Sequence, residues 1–184
     1  MRSFPTAIEG SLYWIQPKTF ERYYELRVGE QELVASLTFE KTFGTLATAS
    51  TKEQEWTFKR VGFLNPRVTI RNADSETDLA VFYPKTFGNS SLIFSDGRVV
   101  EWTSVNFWQT RWGFIDSQGN SLVQFNPGTE NDKFSDLFKT RATVEISSFH
   151  QPPGILPLLV LFGWYLIIMH QEETATIAST AACY

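Results

Sequence analysis

The sequence has almost none of the residues that build metal centres, disulfides or proton-transfer sites. Cys183 is its one cysteine, which excludes an intramolecular disulfide and leaves no cysteine-rich metal site. Histidine, the usual proton shuttle, occurs only as His150 before a Pro-Pro break and as His170 at the end of an apolar run. A structural role is expected for both histidines, and Cys183 has no neighbouring base. The sequence therefore predicts no catalytic residue, no cofactor and no enzyme.

Positive charge is also scarce. The formal net charge is -4, which argues against nucleic acid as a partner because phosphate binding needs a surplus of Lys and Arg on one face. The first ten residues carry one arginine and lack the apolar run of a secretory signal. An intracellular, cytoplasmic protein is expected, and peripheral association with a membrane stays open.

Helical periodicity is missing before Pro152, where no ten-residue stretch suggests a βαβ crossover. Aromatic residues make up 15% of the chain, which favours pleated structure. Alternating runs separated by turn signals such as Asp96-Gly97 predict about twelve strands joined by hairpins. These strands are expected near residues 11–16, 23–28, 32–39, 45–50, 55–60, 67–71, 78–83, 90–94, 98–103, 111–115, 121–126 and 142–147.

An internal repeat organises these strands. The tetrapeptide Lys-Thr-Phe-Gly at 41–44 recurs at 85–88, and Glu-Trp-Thr at 55–57 recurs at 101–103. A period of about 44 residues divides the twelve strands into three four-strand units. Three units are too few for a propeller, so closure into one antiparallel barrel is the better solution for the edge strands.

One apolar segment dominates the remainder of the chain. Residues 155–169 are apolar on every face, so a helix there must be surrounded by lipid or by protein. At about 1.5 Å per residue, fifteen residues reach about 22 Å, short of a hydrocarbon core of about 30 Å. A lumen of twelve strands needs a filler, and this helix has the right character. A minimal tail anchor is the alternative.

The predicted fold is therefore mainly β, a closed barrel of about twelve antiparallel strands with a hydrophobic C-terminal helix buried in its lumen. Residues 1–172 are expected to form one domain with its central helix at 155–170, followed by a tail at 173–184. With its lumen filled, the barrel is expected to act through its outside or its loops. The side chains expected to fill the lumen are Leu158, Leu161, Phe162, Trp164, Tyr165 and Ile168.

This order of elements resembles the tubby C-terminal-like superfamily, which includes the tubby domain, phospholipid scramblases and LURP-one-related proteins. The resemblance covers residues 10–172 and rests on the architecture, on the hairpin from Trp112 to Leu122, and on the helix from Leu158 to Met169. It implies a barrel threaded by its own C-terminal helix, with functions that range from phosphoinositide binding to lipid scrambling. The closest parallel is the small, barrel-only kind of member.

Two acidic loops are candidate metal sites. Asp74, Glu76 and Asp78 alternate in a way that offers oxygen ligands to Ca²⁺, and Glu130 to Asp132 form a second acidic loop. The EF-hand spacing is absent, so a solvated turn is the preferred interpretation of the first group and no metal is predicted.

Basic residues are the candidates for an anion or a lipid headgroup. The lysines of three Lys-Thr-Phe turns can gather at one end of a barrel and create an attractive field despite the negative total. The alternative is that these turns reflect hairpin geometry alone. The candidates are Lys18, Lys41, Lys85, Lys59 and Arg60, with Arg67 and Arg71 nearby in sequence.

An aromatic-rich stretch is the last candidate. Trp102, Phe107, Trp108 and Trp112 are of a type on which bases or sugars stack, but packing in the lumen is the preferred explanation. We expect a non-enzymatic binding or scaffold module whose partner is a membrane lipid headgroup or a protein. The alternative is a membrane-anchored or lipid-transporting, scramblase-like protein whose apolar helix enters the bilayer.

Overall fold

The computed structural model describes residues 1–4, 11–29, 32–42, 44–106, 110–128, 141–147 and 154–181, with helix side chains described to residue 176. These residues form twelve strands and one helix, and the predicted fold is confirmed. The strands are β1 (Leu12–Ile15), β2 (Tyr23–Val28), β3 (Glu32–Phe39), β4 (Ala47–Thr51), β5 (Glu55–Val61), β6 (Arg67–Asn72), β7 (Ala80–Tyr83), β8 (Ser90–Phe94), β9 (Val99–Ser104), β10 (Trp112–Ile115), β11 (Ser121–Pro127) and β12 (Arg141–Ile146), and the helix is α1 (Leu156–Ala181).

The barrel closes by pairing the first strand with the last. Leu12 in β1 lies opposite Val144 in β12. Each strand also pairs antiparallel with the strands directly before and after it in the chain. Connections that follow odd-numbered strands therefore lie at one end of the barrel, and those that follow even-numbered strands lie at the other. We call the first the exit end, because α1 leaves the lumen there, and the second the far end.

Period-two alternation decides which side chains line the lumen. In β5, Trp56 and Phe58 are buried, whereas Lys59 points outward and is exposed. Ala47 and Ala49 are the buried residues of the neighbouring strand β4. Small inward residues let the helix backbone approach closely, and α1 lies nearest to β3, β4 and β5 on one side and to β10 and β11 on another.

Aromatic contacts hold the helix inside the barrel. Trp164 stacks on Trp14 of β1 with ring centroids 5.4 Å apart and planes inclined by 2°. Tyr165 stacks on Phe39 of β3 at 5.5 Å, and its hydroxyl donates a 2.8 Å hydrogen bond to the carbonyl oxygen of Thr45. All six side chains expected to fill the lumen are buried.

The helix continues well past the predicted end at residue 170. It passes through Glu172 and Glu173 and reaches Ala181, so the expected tail at 173–184 begins as helix. The two carboxylates lie within the helix and form ion pairs with Arg22 and Arg60 at the rim of the barrel. Among the described residues, no helix is both long enough and apolar enough to cross a membrane.

Candidate functional site

The exit end exposes large apolar side chains at the tips of separate hairpins. Phe20 in the β1–β2 connection is 100% exposed, Phe63 in β5–β6 is 98% exposed, and Phe87 in β7–β8 is 89% exposed. Leu64, beside Phe63, is exposed as well. Hairpin tips are normally polar, and a clustered set of exposed apolar side chains at one end of a molecule indicates a contact surface.

The three predicted lysines of the Lys-Thr-Phe turns also lie at the exit end. Lys18 and Lys85 stand two residues before Phe20 and Phe87, and Lys41 occupies the β3–β4 connection. Lys18 forms a 2.8 Å ion pair with Glu21, and both side chains are exposed. Within the described ranges, Lys41 and Lys85 have no ion-pair partner.

The remaining basic candidates are divided between the exit end and other parts of the barrel. Lys59 lies on the outer wall in β5, and Arg60 forms an ion pair with Glu173 of the helix. Arg67 is exposed at the start of β6, which is the exit end. Arg71 donates a 2.7 Å hydrogen bond to Asp78 toward the far end. The structure thus groups only some of the predicted anion-binding residues.

Arg22 organises the rim of the exit end, and the sequence analysis missed it. Its side chain is 13% exposed, and one terminal nitrogen donates to the carbonyl oxygens of Lys41 and Gly44 at 2.7 and 2.8 Å. The other terminal nitrogen bonds the Glu172 carboxylate at 2.7 Å, and the guanidinium lies 3.9 Å from the Phe39 ring centroid. Arg22 therefore ties the β3–β4 connection to the helix.

Burial changes the acidity of two groups beside Arg22. Burial raises the pKa of Glu172 above its ordinary value, and the neighbouring Arg22 charge opposes that increase. Burial also raises the pKa of Tyr24 to about 12, with the Glu172 charge as a second cause. Both pKa shifts reflect the partial exclusion of water from the groups around Arg22.

Charge is distributed unequally between the two ends. In the described connections of the far end, the acidic residues are Glu53, Asp74, Glu76, Asp78, Asp96 and Asp116, and the basic ones are Lys52 and Arg98. In the described connections of the exit end, the basic residues are Lys18, Arg22, Lys41, Lys85 and Arg111, and the acidic ones are Glu21 and Glu40. The chain is acidic overall, whereas the described connections of its exit end carry more basic than acidic residues; Glu172 and Glu173 of the helix add two carboxylates at this rim, where they pair with Arg22 and Arg60.

The acidic loop at residues 74–78 does not assemble a metal site. Asp78 is engaged by Arg71, while Asp74 and Glu76 are exposed. Across the described part of the chain, no group of three or more His, Cys, Asp or Glu side chains is placed to hold a metal ion. Glu130 to Asp132, His150 and Cys183 lie outside the described residues.

The aromatic-rich stretch contributes to lumen packing. Trp102 is 8% exposed and stacks on Trp112 with ring centroids 5.8 Å apart. Trp102 also contacts the Phe114 ring at 4.8 Å, and His170 lies 5.6 Å from the Trp112 ring. Phe107 and Trp108 lie outside the described residues.

The helix does not fill the lumen completely, which corrects the expectation of a fully occupied barrel. A cavity of about 490 Å³ lies between α1 and the wall formed by β6 to β10, at the exit end. The sequence could not reveal it, because its existence depends on which wall the helix approaches most closely. The residues that define its walls are Val68, Phe82, Trp102, Tyr165, Leu166 and Met169.

Comparison with protein-family models, with curated proteins and with solved structures finds no match to this chain. The resemblance to the tubby C-terminal-like superfamily therefore stays a prediction.

Proposed function

We propose that this protein is a non-enzymatic module that docks the exit end of its barrel onto an anionic membrane surface. The observation that carries the proposal is the exposure of Phe20, Phe63 and Phe87 in three separate hairpins at one end of the barrel. Two of these rings stand two residues after a lysine. Exposed aromatic rings beside basic residues are the combination that binds the interface between lipid headgroups and acyl chains.

Energetics support insertion of the rings together with attraction of the lysines. Complete burial of one Phe side chain gains about 1.5–3 kcal/mol, and each Lys near an anionic surface adds about 1 kcal/mol. Neither contribution holds a protein on a bilayer alone, but the two together give reversible peripheral binding. Lys41 and Lys85 are exposed and contribute most to the attraction. Lys18 contributes less, because it forms an ion pair with Glu21.

The distribution of charge supports one orientation. The connections at the far end are rich in carboxylates, which an anionic surface repels. The exit end therefore faces the anionic membrane surface, and its exposed Phe rings contact the interface between lipid headgroups and acyl chains. The resemblance to a superfamily that includes phosphoinositide-binding members agrees with this proposal.

The proposal is tested by sedimentation with phospholipid vesicles that contain about one third phosphatidylserine. The wild-type protein is expected in the pellet at low ionic strength and in the supernatant with neutral vesicles. The triple variant Phe20→Ser, Phe63→Ser and Phe87→Ser is expected to lose binding. The matched control is Ile93→Ser with Val99→Ser, which removes two exposed apolar side chains from the outer wall. Equal binding by both variants, or no binding by the wild type, contradicts the proposal.

A second candidate is the scramblase-like alternative, in which α1 enters the bilayer. The observation behind this alternative is that α1 continues beyond Met169 to Ala181. The helix therefore leaves the barrel at the end that is proposed to meet the membrane. Alkaline carbonate separates the two candidates. Peripheral docking predicts release of the intact protein without detergent, whereas retention in the membrane pellet favours insertion of the helix.

A further inference from the structure

We propose that the cavity beside α1 binds the single acyl chain of an anionic amphiphile, with the headgroup held at the exit end. This inference goes beyond the proposed membrane docking and stands on a different observation, since it needs a cavity and not the exposed Phe rings. It also requires no bilayer, so the two proposals can fail separately.

The inner walls of the cavity suit a hydrocarbon chain. They are formed by apolar side chains of strands and helix, among them Val68, Phe82 and Ile167, which are buried. Trp102 and Leu166 close the sides. A polar ligand would lose its hydrogen bonds to water here without replacing them, because these walls offer few polar groups.

The mouth of the cavity has a different chemistry. Lys85 lines it, and its exposed ammonium group has no ion-pair partner among the residues that the structure describes. Among the described residues, the other ionisable side chains that line the cavity are Tyr165, whose hydroxyl donates to the carbonyl oxygen of Thr45, Arg60 and Glu173, which pair with each other, and His170, which is exposed. Lys85 is therefore the charge that remains for a headgroup. A carboxylate or a phosphate complements it.

The volume of the cavity, which is open at its mouth, suits one acyl chain better than two. A cavity of about 490 Å³ falls in the lower part of the range of about 300–1,000 Å³ that is usual for small-molecule sites. The two chains of a membrane phospholipid need more room than this. A fatty acid or a single-chain phosphate ester combines the required apolar tail with one anionic head.

Binding is tested by titration calorimetry with dodecanoate, dodecyl phosphate and dodecylphosphocholine, each below its critical micelle concentration. The two anionic compounds distinguish a free carboxylate from a phosphate headgroup, and the phosphocholine compound carries no net charge. Dodecanoate or dodecyl phosphate is expected to bind about two- to fivefold more tightly than dodecylphosphocholine, because Lys85 is an exposed charge. Lys85→Glu is expected to remove this preference, whereas the control Lys59→Glu on the outer wall is expected to retain it.

The location of the chain is tested by fluorescence quenching with 11-bromoundecanoate. Trp102 and Trp112 line the cavity, so a bromine atom within it quenches their emission, and Trp102→Phe with Trp112→Phe removes most of the quenching. Trp56→Phe, a buried change at the far end, is expected to leave the quenching unchanged. The inference is overturned if no anionic compound binds at millimolar concentration, or if quenching survives in the Trp102 and Trp112 variant. Loss of vesicle docking with retained quenching contradicts only the membrane proposal.

Discussion

The Phe125 ring of β11 packs directly on the backbone of Gly163 in α1. A β-carbon added at residue 163 would overlap the edge of this ring and would lie 3.2 Å from Cε2 of Phe114. Glycine in the interior of a helix is normally unfavourable. Here it allows the helix to approach β10 and β11, so the close fit of helix and barrel depends on this position.

Gly163→Ala is expected to lower the free energy of unfolding by about 1–3 kcal/mol, because overpacking outweighs the roughly 1 kcal/mol that alanine gains as a helix former. Chemical denaturation measures the change. Phe125→Leu in the same chain is expected to recover part of the loss. Thr174→Ala, an exposed change in the same helix, serves as the control and should alter stability by less than about 0.5 kcal/mol.

Arg22→Met tests the bond network at the exit end. The variant loses hydrogen bonds to two carbonyl oxygens and to Glu172, and it leaves this carboxylate, whose side chain is 43% exposed, without its partner. We expect a loss of about 2–4 kcal/mol in the free energy of unfolding. Lys18→Met breaks an exposed ion pair and should cost at most about 1 kcal/mol. Equal losses for the two variants would contradict the role assigned to Arg22.

The raised pKa of Tyr24 predicts that the protein loses stability in alkaline solution. Its pKa is raised from 10.0 to about 12 by burial, so the unfolded chain releases this proton at a lower pH than the folded protein. The stabilisation is complete below pH 10 and is lost as pH rises from about 10 to 12, by about 2–3 kcal/mol. Denaturant unfolding between pH 9 and 12 measures this decline, which should be shallower in Tyr24→Phe. An identical decline in the wild type and in Tyr24→Phe would show that other groups cause the loss of stability.

The sequence was sufficient to predict the barrel, because period-two alternation marks buried positions such as Trp56 and Phe58 wherever the strands lie. The burial of α1 was predictable as well, since a helix apolar on all faces needs an apolar surrounding. The end of the helix was not predictable. Glu172 and Glu173 look like a polar end of the apolar run, but they lie inside the helix and pair with Arg22 and Arg60, which are remote in sequence and reach them only in the closed barrel.

The candidate site was predicted only in part. The repeated Lys-Thr-Phe turns indicated a common end for Lys18, Lys41 and Lys85, because equivalent turns of a repeat occupy equivalent places. Alternation says nothing about turns, so the exposure of Phe20 and Phe87 was missed. An aromatic residue inside a short polar turn, two residues after a lysine, was the available signal.

Amide hydrogen exchange in the presence of phosphatidylserine-containing vesicles tests the central claim most directly, because it reports which end of the barrel meets the surface. We expect vesicles to slow exchange at residues 17–21, 62–65 and 85–89 of the exit end and to leave residues 73–78 and 95–98 of the far end unchanged. Protection of the far-end segments, or exchange unaffected by vesicles at both ends, would contradict docking through the exit end.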